Sequence, residues 1–234
     1  MSYQLTLVSG YWIVKNKHNE KYNEWFENSL SINCPYVFFC DNNSIDIIKH
    51  YRKNLPTYYV ILNINEFYTF KYYNNITTHP MHCPSKELNL IWNEKIFLIN
   101  KAANLNPFNS EFFGWCDAGL CVFRDNKPPP YSFPNINKLN FLPKDKFIFS
   151  SSDYNYFDKS KLSTYYHYVS GTYIINKSII NKFTDIYKEY IDKYLSKETW
   201  IYTDQVILTL IYNDYQDMFF KLCDGYGMIV YYLY

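Results

Sequence analysis

Between residues 5 and 62 the chain alternates short apolar runs with amphipathic stretches, and this alternation restricts its possible folds more than any other feature. Leu5 to Val8 is the first run. A polar loop follows, and then Tyr22, Trp25, Phe26 and Leu30 fall on one face at helical spacing. Pro35 opens the second run, Tyr36-Val37-Phe38-Phe39-Cys40, which ends in Asp41-Asn42-Asn43 before a short helix near Ser44 to Lys53. Tyr58 to Leu62 supplies a third run. Strands separated by helices need parallel crossovers, so the first part reads as a Rossmann-type sheet. Residues 63–84 carry no clear period. At 234 residues the chain is expected to form one domain, 1–234. That length buries roughly 70% of the unfolded surface, without help from a disulfide or structural metal.

Charge excludes several partners. Lys and Arg number 23 against 22 Asp and Glu, a net charge of +1, which leaves no electrostatic footprint for nucleic acid or an anionic membrane surface. A small molecule or a local partner is expected instead. The 27 Tyr and 18 Phe accompany abundant Asn, Ile and Lys, a pattern that an AT-rich coding genome explains as readily as sugar stacking. Cys34, Cys40, Cys83, Cys116, Cys121 and Cys223 form no CxxC pair and no Cys/His cluster of zinc spacing. They are expected to be structural free thiols in a reducing, cytoplasmic setting. The amino terminus lacks the basic and long apolar regions of a signal peptide, and no apolar run reaches the length of a membrane span.

Four places invite chemistry. Phe112 to Cys116 has the length and aromatic content of a buried strand, and Asp117-Ala118-Gly119 turns the backbone out of the sheet behind it. Ligands of open α/β sheets bind at the carboxyl ends of strands, so Asp117 is either a ligand-facing carboxylate or an ordinary turn former. A long helix is expected from Ser85 to about Ala103, with Lys95 on the face of Trp92, Ile96 and Ile99. Its ammonium either snorkels to water or meets an anion, because a buried unpaired charge costs several kcal/mol. As a lone charge on an apolar face it would be replaceable by Met without loss of stability. Gly171 lies inside the strand Tyr168 to Asn176, where it admits a close neighbour or marks a bulge. A helix bearing Ile179, Phe183, Ile186, Tyr187, Tyr190 and Tyr194 follows. Thr203-Asp204-Gln205 then opens the last expected helix, as a cap with a dipole-complementing acid or as a sugar-binding pair. Lys127 to Pro134 reads as a loop over the sheet. The chain carries no GxGxxG, Walker, Gly-x-Ser-x-Gly or HExxH pattern.

These pieces together resemble a known family. Leu88-Asn89-Leu90-Ile91-Trp92-Asn93-Glu94-Lys95, Asn106-Pro107-Phe108-Asn109-Ser110 and Phe113-Gly114-Trp115-Cys116-Asp117-Ala118-Gly119 look like the central block of the HtrL/YibB-like proteins. Those are grouped with GT-A-type nucleotide-sugar glycosyltransferases, with relatives in bacteria and giant DNA viruses. Thr6 to Gly10, the Tyr22 to Trp25 helix and Phe38 to Asp41 match the same layout. Val169-Ser170-Gly171-Thr172 and Thr203-Asp204-Gln205 are similar to the acceptor-side strand and donor-side helix start of family 8-like enzymes.

The resemblance implies an α/β fold: a single GT-A-like domain, with a Rossmann-type mixed sheet flanked by helices. It implies a glycosyltransferase that moves a sugar from a nucleotide sugar, a UDP-sugar by analogy, to a glycan or other hydroxyl acceptor. In a virus that activity would sit in the host cytoplasm or the virion. The donor would be met by Val8, Ser9, Gly10, Tyr11, Lys95, Asp117, Ala118, Gly119, Ser170 and Gly171, with Asp204 and Gln205 as catalytic residues at the transferred sugar. Asp117 would hold a divalent cation, Mn²⁺ or Mg²⁺, on the diphosphate. Trp115 or Gly119 replaces the second acid of the family's DxD motif, which leaves a shell of one carboxylate with donor oxygens and water, with Asp224 or His167 as candidates to complete it. Two other classes compete: a non-catalytic carbohydrate- or nucleotide-sugar-binding protein of the same fold, and a glycoside hydrolase using carboxylates such as Asp153 and Asp204.

Overall fold

The computed structural model describes residues 3–18, 21–152, 167–197 and 201–234. Its centre is a seven-stranded sheet: β1 Leu5–Tyr11, β2 Tyr36–Cys40, β3 Thr57–Ile61, β4 Phe112–Trp115, β5 Phe147–Ser151, β6 Val169–Asn176 and β7 Phe219–Asp224. The order across the sheet is β3-β2-β1-β4-β6-β5-β7. Only β6 runs against its neighbours, pairing antiparallel with β4 and β5, while the remaining pairs are parallel. The expected α/β class and mixed, helix-flanked sheet are therefore present.

Helices cover both faces. One face takes α3 Lys86–Leu105, α5 Ile180–Leu195 and α6 Asp204–Asp214 against Val8, Phe39, Phe113, Trp115, Phe149 and Tyr173. The other takes α1 Lys21–Ser29, α2 Ile45–Arg52, α4 Ile136–Asn140 and α7 Met228–Leu233 against Leu5, Leu7, Phe38, Phe112, Ile148 and Ile174. With both faces covered, β2 is buried at every position, which is why it reads as an unbroken apolar run. Lys127 to Pro134 is irregular and straps the second face, with the Phe133 N–H donating to the Asn33 carbonyl at 2.8 Å. All six cysteines are free thiols. No helix among the described residues is long and apolar enough to cross a membrane.

Helix α3 sets the position of the site. Ser85 caps it, its hydroxyl accepting from the Leu88 N–H at 3.2 Å, and Asn106 ends it in the left-handed region at φ 37°. Between those caps the helix is wedged between the sheet and helices α5 and α6, so Asn89, Asn93, Glu94 and Lys95 are buried alongside the apolar residues.

Two features exceed the sequence reading. Helix α6 is not the last element, because β7 and α7 follow it. β7 is a sheet-edge strand, half exposed and interrupted by Lys221, so it lacks the buried apolar signature of a central strand. Residues 63–84 contain two short 3₁₀ turns, Ile64–Glu66 and Tyr68–Tyr72, and the second of these is anchored by a buried carboxylate. Glu94 accepts from the Tyr68 N–H at 2.9 Å, the Thr69 N–H at 3.0 Å and the Thr69 hydroxyl at 2.8 Å.

Burial pushes the Glu94 carboxyl up to about 7 in spite of those three donors. A carboxyl raised in this way contributes most below its unfolded value near 4.5, and its contribution is lost as pH rises to about 7. Glu94→Gln removes the titration at the cost of acceptor oxygens. Chemical unfolding should find the variant less stable than wild type at pH 5, with a gap that narrows by roughly 3 kcal/mol by pH 8. A gap independent of pH would mean that Glu94 is ionised throughout.

Candidate active site

The carboxyl ends of β1 and β4 and the amino end of the reversed β6 meet at one end of the central strands. A cavity of about 430 Å³ opens there. Its polar floor is built on Lys95. The ammonium lies 3.1 Å from Asp117 Oδ1 and 3.5 Å from Asp204 Oδ1, with its side chain 3% exposed. The sequence left snorkelling and anion contact open; the structure has the second, and the anions are the protein's own carboxylates. Burial works to lower the Lys95 pKa, but Asp117 and Asp204 outweigh it and hold the ammonium above its usual value.

The two acids differ. Asp204 is fully buried and takes Thr203 Oγ1 at 3.0 Å and the Tyr173 hydroxyl at 3.2 Å. Burial raises its pKa and Lys95 counters that rise. Asp117 is 34% exposed at the cavity, and its Oδ1 also accepts from Trp115 Nε1 at 2.7 Å. The aromatic strand thus delivers a carboxylate and also the indole that orients it.

Gly171 has a steric reason. A Cβ there would stand 2.9 Å from the Tyr226 hydroxyl, 3.4 Å from Lys95 Nζ and 3.6 Å from Gln205 Cδ, so glycine leaves room for the polar cluster. Gln205 lines the cavity, accepting from Tyr226 Oη at 3.2 Å and donating from Nε2 to His167 Nδ1 at 3.1 Å. That pattern puts the His167 proton on Nε2. Burial brings the His167 pKa down to about 4, so the imidazole is neutral at pH 7.

The opposite wall comes from the chain after β1 and from the turn after β4. Gly10, Tyr11, Trp12, Lys17, His18 and Tyr22 line it together with Ala118, Gly119 and Arg124, and Gly119 packs against Tyr22, where a Cβ would stand 2.9 Å from its ring. The Arg124 guanidinium stacks on Trp25 at 3.8 Å and donates from Nε to the Gly119 carbonyl at 3.1 Å. Neither Lys17 nor Arg124 has an ion-pair carboxylate among the described residues. Their charge is felt nearby. Burial first, and then Arg124, lowers the Lys17 pKa against a smaller rise from the nearby Asp117, and burial with Arg124, Lys17 and Lys21 brings His18 down to about 4.

Of the residues expected from sequence, Gly10, Tyr11, Lys95, Asp117, Ala118, Gly119 and Gln205 line the cavity. Gly171 adjoins it beneath Tyr226. Val8 and Ser9 lie in the buried part of β1, below the wall, and the Ser9 hydroxyl has no hydrogen-bond partner. Ser170 alternates to the other face of β6, where its hydroxyl pairs with Ser150 Oγ at 2.9 Å. Asp204 is brought to Lys95 but not to the cavity surface. Asp153 lies outside the described residues. Lys17, Arg124, Trp12 and Tyr226 escaped the sequence reading. Only Tyr226 left a signal, flanked by two glycines at φ 100° and 75° that turn the chain from β7 back over the site.

The residues around Asp117 are a poor fit for a divalent cation. Asp224 is occupied by Ser151 Oγ at 2.7 Å and Lys221 at 2.9 Å, and His167 Nδ1 by Gln205, so neither completes a shell. No group of three or more His, Cys, Asp or Glu among the described residues could hold a metal ion.

The strand order, the reversed strand β6 and a cavity with a charged floor at the strand ends define an α/β domain built on a mixed, helix-flanked sheet. The family model described as "Bacterial protein of unknown function (HtrL_YibB)" matches residues 58–231, and the chain belongs to that family. The match includes Lys95, Asp117, Arg124, Asp204, Gln205 and Tyr226, while β1 and Lys17 precede it. Among solved structures, the chain is similar to 4-diphosphocytidyl-2C-methyl-D-erythritolsynthase from Anaerococcus prevotii, with 16% identity, a TM-score of 0.45, and coverage of 95% of this chain and 89% of that one. It is also similar to S. aureus TarS, with 14% identity, a TM-score of 0.36, and coverage of 88% of this chain but 34% of that one. No curated protein matches the chain in sequence.

The ion triad reverses the stability expected of Lys95→Met. Removing the ammonium leaves Asp204 buried without its counter-charge, a type of change that costs about 3 kcal/mol or more. Adding Asp204→Asn removes the stranded charge and should bring the double variant back to within about 1 kcal/mol of wild type. Urea unfolding of wild type, both single variants and the double variant measures this. A fully stable Lys95→Met would show that the ammonium contributes nothing at the triad.

Proposed function

We propose that this protein is a glycosyltransferase that takes a nucleotide sugar, a UDP-sugar by family analogy, and passes its glycosyl group to a hydroxyl acceptor. The observation that carries this reading is the cavity at the strand ends, lined by Asp117 and Gln205 and by Lys17 and Arg124, neither of which has an ion-pair carboxylate among the described residues. Its volume suits a small-molecule site, for which about 300–1,000 Å³ is usual. Tyr11, Trp12, Tyr22 and Trp92 supply flat apolar wall for a base or a sugar ring.

In the reaction, the bond between the anomeric carbon and the leaving phosphate oxygen breaks, and its electron pair stays on that oxygen. The acceptor oxygen bonds to the anomeric carbon and its proton passes to water. Negative charge therefore grows on the diphosphate, where Arg124 and Lys17 are fixed in advance to meet it. Gln205 and the Tyr226 hydroxyl offer hydrogen bonds to sugar hydroxyls, and Asp117 Oδ2, which is not engaged by Lys95 or Trp115, offers an acceptor. Asp204 acts through Lys95: it is a positioning residue that fixes the ammonium under Asp117.

Incubation with a panel of nucleotide sugars, with release of nucleoside diphosphate followed chromatographically, tests the reading. Turnover of one donor is expected, and tight binding without turnover would favour the non-catalytic carbohydrate-binding alternative. Arg124→Ala should weaken nucleoside diphosphate binding about 10- to 100-fold, since a charge-assisted hydrogen bond contributes roughly 1.5–3 kcal/mol. Burial is the larger cause of the His18 shift to about 4, and a bound anion offsets only the part that Arg124, Lys17 and Lys21 add, so the bound His18 pKa lies above 4 but below its ordinary value. Affinity should therefore rise as pH falls towards about 4, with proton uptake on binding measurable by calorimetry in buffers of different ionisation heat. Affinity unchanged in Arg124→Ala would remove the diphosphate assignment.

A further inference from the structure

Asp117 and Asp204 face each other across one position, and a lysine occupies it. The Lys95 ammonium reaches both acids, at 3.1 and 3.5 Å, from the buried side of the cavity. We propose that Lys95 is the resident cation of this site and that the chain binds and neutralises a diphosphate with Lys17 and Arg124, independently of a divalent metal. This rests on the reading of the cavity as a nucleotide-sugar site and adds how that site handles charge.

The donor chemistry supports it. A Mg²⁺ or Mn²⁺ ion needs about six ligands, mainly oxygens, near 2.0–2.2 Å in a regular shell. Asp117 Oδ1 is already shared by Lys95 and the Trp115 indole N–H, leaving one carboxylate oxygen open to the cavity. Asp204 is closed on both oxygens by Thr203, Lys95 and Tyr173 and has no exposed surface. Its carboxylate cannot reach an ion in the cavity without giving up those bonds. A divalent ion on Asp117 would also sit beside the Lys95 ammonium, and two like charges at such a distance repel strongly in a partly desolvated site.

The charges tell the same story. Two carboxylates, Asp117 and Asp204, face three cations, Lys95, Lys17 and Arg124, so the cluster carries a surplus of one positive charge before any ligand arrives. The surplus comes from Lys17 and Arg124, which have no ion-pair carboxylate among the described residues. Lys17 precedes the half-buried His18, and Arg124 is held against Trp25 and the Gly119 carbonyl. A fixed guanidinium presents paired donors to phosphate oxygens, which is a substitute for a bridging metal in geometry as well as in charge.

Calorimetric titration of UDP, with CDP, GDP and ADP in parallel, into the intact protein in EDTA and in Mn²⁺ tests this without reference to turnover. The expected result is an affinity in EDTA within about threefold of that in Mn²⁺, falling tenfold or more in Arg124→Ala and in Lys17→Ala. Asp117→Asn, which removes a negative charge beside the ligand, should bind UDP as well as wild type or better. Binding at least tenfold tighter in Mn²⁺, with that gain lost in Asp117→Asn, would overturn the proposal and leave the nucleotide-sugar reading standing. Metal-independent affinity unchanged in both cation variants would overturn the roles of Lys17 and Arg124. Absence of binding by every nucleoside diphosphate in both buffers would overturn the proposal together with the reading it rests on.

Discussion

The Lys95 ammonium, buried between Asp117 and Asp204, ties together three elements that are distant in sequence: the middle of α3, the end of β4 and the start of α6. Each of the three elements would be less well determined without it. Helix α3 could not bury a lysine on a face packed against a sheet unless counter-charges were waiting there, and Asp204 could not remain fully buried without a cation. Tyr173 and Thr203 complete the arrangement by taking the remaining acceptor positions of Asp204. The floor of the cavity is thus a charge network fixed by packing, with Asp117 as its outlet to solvent.

From that floor the character of the cavity follows. Lys95 compensates one of the two carboxylate charges from below, and Lys17 and Arg124, which have no ion-pair carboxylate among the described residues, bring the lining to a surplus of one positive charge. Two histidines feel the same environment: His18 and His167 are both brought down to about 4, chiefly by burial, and stay neutral at pH 7. The imidazoles therefore add hydrogen-bonding capacity and flat surface without adding charge. Net charge reports the sum over the surface and says nothing of one concave region, so a chain of nearly balanced composition can line a cavity with a surplus of positive charge.

The reversed strand β6 supplies the other half of the design. Because it runs against β4, its amino end and not its carboxyl end reaches the cavity, bringing Gly171 under Tyr226 and Gln205. The same reversal carries Ser170 to the opposite face, where it pairs with Ser150. Neighbouring residues of one motif are thus divided by the pleat, one adjoining the site and one bracing the sheet.

The sequence by itself determined the elements whose signals are local. Apolar runs bounded by turn residues located β1 to β6, periodic apolar faces located α1, α3, α5 and α6, and Ser85 and Thr203 marked helix starts through their capping chemistry. The abrupt end of an aromatic strand in Asp117 pointed to the strand ends where the cavity opens. What tertiary structure alone decided are the relations between distant segments. Lys95 read as a charge on an apolar face, and only the arrival of Asp117 and Asp204 turned it into an ion triad. Lys17 and Arg124 are ordinary loop cations in the sequence, and their role depends on the fold leaving them facing one cavity without carboxylate partners among the described residues. β7 is a short edge strand whose half-exposed face carries no clear pattern, so its place beside β5 is fixed by pairing and not by its own composition. The physical reason is common to all three: periodicity and capping act over a few residues, whereas charge compensation, strand direction and cavity shape arise between segments that the chain brings together only on folding.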